Sequence, residues 1–260
     1  MGFSSCGLCA IIPLTRQFAL EYSALFDGLL PALRRLGTPL PLGGTSNHFP
    51  RHVLEALGGW DPYNVTEDAD LGIRLARAGY GVEVLDSTTW EEAPAYFKDW
   101  LPQRTRWLKG WFQTYLVHMR RPGVLARELG LWRFVGFQLL IGGFLLSALM
   151  HPLFYLVAGL ELTRAQPFSA GGSAMEKALW AIALYNLAIG LFASCAMAGL
   201  KAFRRGFGGL VAQVVLMPVY WLLVSLAAYR AIWQLLVAPH LWEKTRHGAR
   251  GGARDGRWRP

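Results

Sequence analysis

The chain has 260 residues, 53% of them hydrophobic, and a formal net charge of +9. Positions 1–130 mix charged and apolar residues as a soluble domain does, but from Phe134 onward there are long runs almost free of charge, which excludes a wholly soluble protein. The basic clusters (Arg120/Arg121, 201–205 and the tail from Lys244) flank apolar segments and no zinc-finger or RNA-binding signature accompanies them, so they fit membrane lipids as partners and no nucleic acid.

In chain order, positions 15–36 carry Phe18, Tyr22, Leu25, Leu29 and Leu33 at helical spacing, and Gly37 is the expected stop. Positions 38–42 read as extended backbone leading into GGTSNHF. A short helix follows over 51–57, closed by Gly58-Gly59, and then a WDPYN turn. Thr66 is the expected N-cap of the next helix, with Glu67, Asp68 and Asp70 in a first turn where carboxylates complement the exposed N–H groups. That helix is expected to stop at Gly79. GVEVLD, ending at Asp86, reads as a strand, and a helix passing to a strand is α/β grammar.

The segment LPQRTRWLKGW at 101–111 masses indole and cationic groups just before the apolar runs. Helical spacing puts Gln103, Arg106 and Trp107 on one face and turns Arg104 elsewhere. A guanidinium, an amide and an indole on one face suit a ligand that is part phosphate and part sugar. Trp111 and Lys109 read instead as headgroup-level residues of an interfacial helix.

Three apolar stretches follow, at 134–160, 178–200 and 207–237, each long enough to cross a membrane. The positive-inside rule places the soluble half and KAFRR on the cytoplasmic side. Pro218 and Arg230 interrupt the third stretch, which is expected to be broken and partly interfacial or re-entrant, with a cytoplasmic tail. Cys6, Cys9 and Cys195 make no disulfide framework, and the CxxC at 6–9 has no second pair to complete a metal site.

TED at 66–68, QRTRW at 103–107 and apolar helices beyond, in that order, resemble the membrane-embedded processive branch of glycosyltransferase family 2, which includes cellulose, chitin, hyaluronan and mannan synthases. PLGGTSNHF, GGWDPYNVTEDADLGIRLARAGY and the closing WEKTRHG are similar to parts of the same family. The resemblance implies a partial GT-A-like nucleotide-diphospho-sugar transferase domain of α/β class, followed by an α-helical transmembrane region. It implies Asp68 as catalytic base. Glu67, Gln103, Arg106 and Trp107 would hold the donor diphosphate and the acceptor sugar. Gly44, beside Gly43, would allow close backbone approach to the ligand, with Ser46 or Asn47 either donating hydrogen bonds or simply forming a turn. The implied partners are a nucleotide sugar donor and a glycan or lipid-linked acceptor, at the cytoplasmic face of the plasma membrane.

The family's divalent ion, Mg²⁺ or Mn²⁺, is held by a DxD-type motif; none lies upstream of Glu21, and Asp27 stands alone in a helical pattern. The chain is therefore expected to be the C-terminal part of such an enzyme: a partial catalytic domain over 1–110, an interfacial helix or linker over 111–133, membrane helices over 134–240 and a basic tail over 241–260. Its missing half would belong to a longer protein or a second chain. The alternative is a catalytically inactive membrane remnant or scaffold subunit.

Overall fold

The computed structural model describes residues 13–85, 87, 89, 91, 93–163 and 173–243; Cys6, Cys9, Asp86 and the basic tail from Lys244 lie outside them. Ten α-helices are described: α1 (Pro13–Ala24), α2 (Leu30–Arg35), α3 (Arg51–Ala56), α4 (Glu67–Arg77), α5 (Phe97–His118), α6 (Pro122–Leu129), α7 (Leu131–Phe137), α8 (Gly143–Leu162), α9 (Ala174–Arg204) and α10 (Met217–Val237). A π-turn at Leu25–Leu29 joins α1 to α2, and another at Gln138–Gly142 joins α7 to α8.

The expected helix stops are present. Gly37 and Gly79 adopt φ of 66° and 84°. Just beyond them, the Thr38 and Tyr80 amides return to the Leu33 and Leu75 carbonyls at 3.1 and 3.0 Å, closing both helices in Schellman fashion. Thr66 occupies the N-cap position of α4, but its side chain makes no capping bond. The hydroxyl is drawn toward Asn64 Oδ1, 3.4 Å away, because Asn64 is itself anchored to Thr114 of α5 at 2.8 Å.

The strand expected over GVEVLD is not formed among the described residues. Residues 81–85 are extended, and Val82 and Val84 pack against Leu30, Leu33 and Leu40, yet no strand lies beside them. A strand is held by its ladder partners, and the described residues supply none. The α/β expectation is thus not met by the described residues, whose regular structure is entirely helical.

α5 is the spine of the molecule, and it runs unbroken through the expected boundary at 110/111. Its Trp100 and Leu108 share one core with Phe18 of α1, Ile73 of α4, Phe137 and Ile141, and Tyr220 and Ala227 of α10. One apolar core therefore ties the TED helix, the QRTRW helix and the apolar helices together.

Three segments are long and apolar enough to cross a membrane: Leu131–Glu161, Ala174–Arg204 and Gly208–Val237. The third is broken, as expected, with a 3₁₀ segment over Gly208–Leu216 before α10 and Pro218 in the first turn of that helix. Arg230 does not interrupt it, because both guanidinium nitrogens bond the Glu243 carboxylate at 2.6 and 2.7 Å. α10 lies alongside α5, with Tyr220 at Trp100 near one end and the Pro239 carbonyl at Gln113 near the other.

Candidate active site

A cavity of about 1650 Å³ opens where α1, α4, α5 and the apolar helices meet, and Gly44, Glu67, Asp68, Gln103, Arg106 and Trp107 all line it. Ser46 does not. It sits in a left-handed turn at φ 56°. It is exposed, and its hydroxyl lies 2.7 Å from that of Thr89. Ser46 thus takes the turn alternative, and Asn47 bonds the Gly43 carbonyl in the same loop. Thr45 is the side chain of this loop that reaches the cavity, donating to Glu91 at 2.5 Å.

Asp68 stands at the start of α4, with Oδ1 accepting from the Ala69 amide at 2.8 Å. A β-carbon on Gly44 would come within 3.1 Å of Asp68 Oδ2, so the glycine leaves the other carboxylate oxygen open to the cavity. Burial pushes the Asp68 carboxyl above its ordinary range, and the neighbouring Glu67 charge adds to this, against the pull of the Ala69 amide and Arg106. A carboxylate so placed is a better proton acceptor than one in water.

α4 is fixed from both sides. A β-carbon on Gly72 would come within 3.0 Å of the Leu42 amide, so the bare glycine lets α4 lie directly on the extended 38–42 segment. On the opposite side the buried Asp70 carboxylate accepts from Arg74 at 2.7 Å and pairs with His118 of α5 at 3.0 Å. Asp70 stands in the first turn of α4 as expected and also ties α4 to α5.

On α5, Gln103 is 6% exposed, and its Oε1 has no hydrogen-bond partner among the described residues. A buried amide oxygen on a cavity wall is an acceptor placed for a ligand hydroxyl. Arg106 sits with its guanidinium carbon 5.5 Å from the Trp242 ring. Burial lowers its affinity for its proton, while Glu67 and Asp68 oppose that loss.

Arg104 is not turned elsewhere. It is buried beneath the site, its two terminal nitrogens each 2.6 Å from a Glu21 oxygen and its guanidinium carbon 4.7 Å from the Trp107 ring. Burial alone would depress its proton affinity, but the Glu21 carboxylate outweighs burial and raises it.

The C-terminal segment supplies residues that the helix-face reading missed. Lys109, expected at headgroup level, is fully buried and bonds the Leu241 carbonyl, folding the chain so that His240 and Trp242 join the cavity wall. The similarity of WEKTRHG to its family counterpart was the available signal. Trp111 lies 5.4 Å from Phe144 and forms part of the apolar wall. Among the described residues no three His, Cys, Asp or Glu side chains gather into one cluster.

The sequence family described as Glycosyl transferase family group 2 matches residues 18–239. The chain belongs to that family. Among the proteins it is similar to, a probable glycosyltransferase, YdaM, of Bacillus subtilis (strain 168) is 41% identical over 68 residues, 26% of this chain and 16% of that protein. The beta-monoglucosyldiacylglycerol synthase of Synechocystis sp. (strain ATCC 27184 / PCC 6803 / Kazusa) is 33% identical over 106 residues, 38% of this chain and 22% of that protein. The chain thus matches less than a quarter of the length of these relatives. No solved structure matches this chain significantly.

Proposed function

We propose that this family member works as an inverting glycosyltransferase, moving a hexosyl unit from a nucleotide sugar, UDP-glucose or similar, to a glycan or lipid-linked acceptor at the cytoplasmic membrane face. The observation that carries the reading is that Asp68, Gln103 and Arg106, on two different helices, line one cavity. Asp68 takes the proton of the acceptor hydroxyl, whose oxygen attacks the anomeric carbon as the bond to the diphosphate breaks, inverting that centre. Arg106 offsets the charge gathering on the departing diphosphate, Gln103 holds a sugar hydroxyl, and Trp107 offers a face to the acceptor ring. The order TED, QRTRW, apolar helices supports placing the chain in the processive membrane branch, and the glucosyl in the cyanobacterial relative's name supports a hexose as cargo.

The lack of a ligand cluster among the described residues supports one second reading, a chain completed by a partner bearing the donor-binding half, or an inactive scaffold. Nucleoside diphosphate release separates them. Purified chain is given UDP- and GDP-sugars with Mg²⁺ or Mn²⁺, beside Asp68→Asn. Release that vanishes in the variant supports the enzyme, and no release with any donor from folded protein overturns it for the isolated chain.

A further inference from the structure

The chain as a whole is basic, with a formal net charge of +9, yet the wall of its cavity is not. Among the described residues, the carboxylates of Glu21, Asp61, Glu67, Asp68 and Glu91 line it, against the guanidinium groups of Arg104 and Arg106. Arg104 and Glu21 satisfy one another through two hydrogen bonds. Asp61, Glu67, Asp68 and Glu91 are then set against Arg106 alone among the guanidinium groups of the wall.

Glu91 has no part in the transfer as described above. It stands just before α5, and Ala93, two residues on, is buried in the core that holds Trp100. Thr45 donates to its Oε1 at 2.5 Å, which fixes the carboxylate on the wall. No Lys, Arg or His side chain pairs with it among the described residues. Burial pushes the Tyr22 phenol up, and the charges of Glu91 and Asp68 both add to this, so the two carboxylates border the same part of the cavity. Gln103, 6% exposed and with no partner at Oε1, lines that cavity as well.

We propose that Glu91 selects the sugar by charge: it accepts hydrogen bonds from the hydroxyls of an uncharged pyranose lying at Asp68 and turns away a uronate; the inference rests on the transferase reading above. Glu91 and Gln103 Oε1 are acceptors, and a hexose ring is rich in hydroxyl donors. Hydroxyl bonds to a carboxylate are charge-assisted, short and strong. A uronate ring brings a carboxylate of its own and sets like charge against like. At ~5 Å and an effective dielectric of ~20, that repulsion amounts to discrimination on the order of 10²-fold. Arg106 cannot relieve it while holding the diphosphate. The transferred ring and the ring at the end of the acceptor both meet at Asp68, and the same chemistry reads either. If Glu91 only anchored Thr45, glutamine would serve as well, because its carbonyl still accepts from the Thr45 hydroxyl, and sugar preference would not change.

The full chain is placed in phosphatidylcholine nanodiscs, and tryptophan fluorescence, with Trp107 and Trp111 in the cavity wall, follows binding. Two pairs are compared: UDP-glucose with UDP-glucuronate, and methyl β-glucoside with methyl β-glucuronide. In at least one pair wild type should bind the uncharged sugar about 10²-fold more tightly, and Glu91→Gln should narrow the gap to about threefold, chiefly by strengthening glucuronate binding. A misfolded variant cannot give such a gain. Glu55→Gln, at an exposed acid paired with Arg51, should behave as wild type. A preference confined to the nucleotide sugars assigns Glu91 to the transferred ring, and one confined to the glycosides assigns it to the acceptor's ring. Equal or no binding in both pairs, or a preference that survives in Glu91→Gln, overturns the selection. UDP release from UDP-glucose alongside equal binding overturns it while sparing the transferase reading. A Glu91-dependent preference without release from any nucleotide sugar does the reverse.

Discussion

Thr66 rests directly on the bare α-carbon of Gly110: a β-carbon at position 110 would come within 2.6 Å of Thr66 Cγ2. This contact sets the distance between the helix that starts with Asp68 and the helix that carries Gln103 and Arg106. Gly110→Ala should therefore push α4 and α5 apart, at a cost of about 1–3 kcal/mol, typical of overpacking. Thermal unfolding checks this, and Thr66→Gly in the same chain should restore most of the loss. If the double variant is no better than Gly110→Ala, the contact does not set the spacing.

Asp68→Asn should lower nucleoside diphosphate release about 10²- to 10⁴-fold, the usual worth of a positioned base. Its effect on stability should have the opposite sign. Burial raises the Asp68 carboxyl in the folded chain, so its contribution favours folding below the unfolded pKa and is lost as pH rises through the higher folded value. At pH 7 the ionised group is a burden, and the amide should unfold at a higher temperature than wild type. Wild-type turnover should climb with pH through a value above the ordinary aspartate range. A flat profile from pH 4 to 8 would remove Asp68 as the base.

The partner of that prediction is Asp70, two residues on. Burial works to raise its carboxyl, but the hydrogen bonds from His118 and Arg74 win and hold it below the ordinary range. A lowered carboxyl gives stability that is present above the unfolded pKa, ~3.9, and is lost as pH falls through the folded value. Asp70→Asn should thus unfold earlier than wild type at pH 7, with the gap narrowing below about pH 4. A gap that stays constant with pH would mean the carboxylate charge is not what binds α4 to α5.

These residues also mark how far the sequence could be read. The helices announced themselves, since Phe18 to Leu33 repeat at helical spacing and Gly37 and Gly79 could only be stops. The site was legible where a motif fixed both residue and face, as for Asp68, Gln103, Arg106 and Trp107. It was not legible where tertiary contacts decide. Helix periodicity says nothing about Glu21 reaching Arg104 or Leu241 folding back to Lys109, because those partners lie 83 and 132 positions away. The two alternatives left open at Ser46 divide on its left-handed turn, which leaves Thr45 and not Ser46 lining the cavity. The expected strand GVEVLD at 81–86 had the right alternation, but alternation shows which side chains share a face and not whether a second strand lies alongside.

Arg104 tests how the floor of the site is built. Its fork on Glu21 ties α5 to α1, and Tyr220 of α10 donates to the same carboxylate, so three helices meet at one part-buried charge pair beneath Trp107. Removing one partner strands the other. Arg104→Met should cost about 1–3 kcal/mol, since the stranded Glu21 keeps part of its hydration, whereas Arg104→Met with Glu21→Gln should cost clearly less, because no uncompensated charge is left behind. Arg104→Lys should not rescue fully, since an ammonium cannot match both carboxylate oxygens at once. Urea unfolding of wild type, Arg104→Met, Glu21→Gln and the double variant gives the coupling, and tryptophan fluorescence follows the packing around Trp107 in parallel. Strict additivity of the two single substitutions would show that Glu21 and Arg104 do not act as a pair, and that Trp107 is held by its contacts with Phe18 and Tyr22 alone.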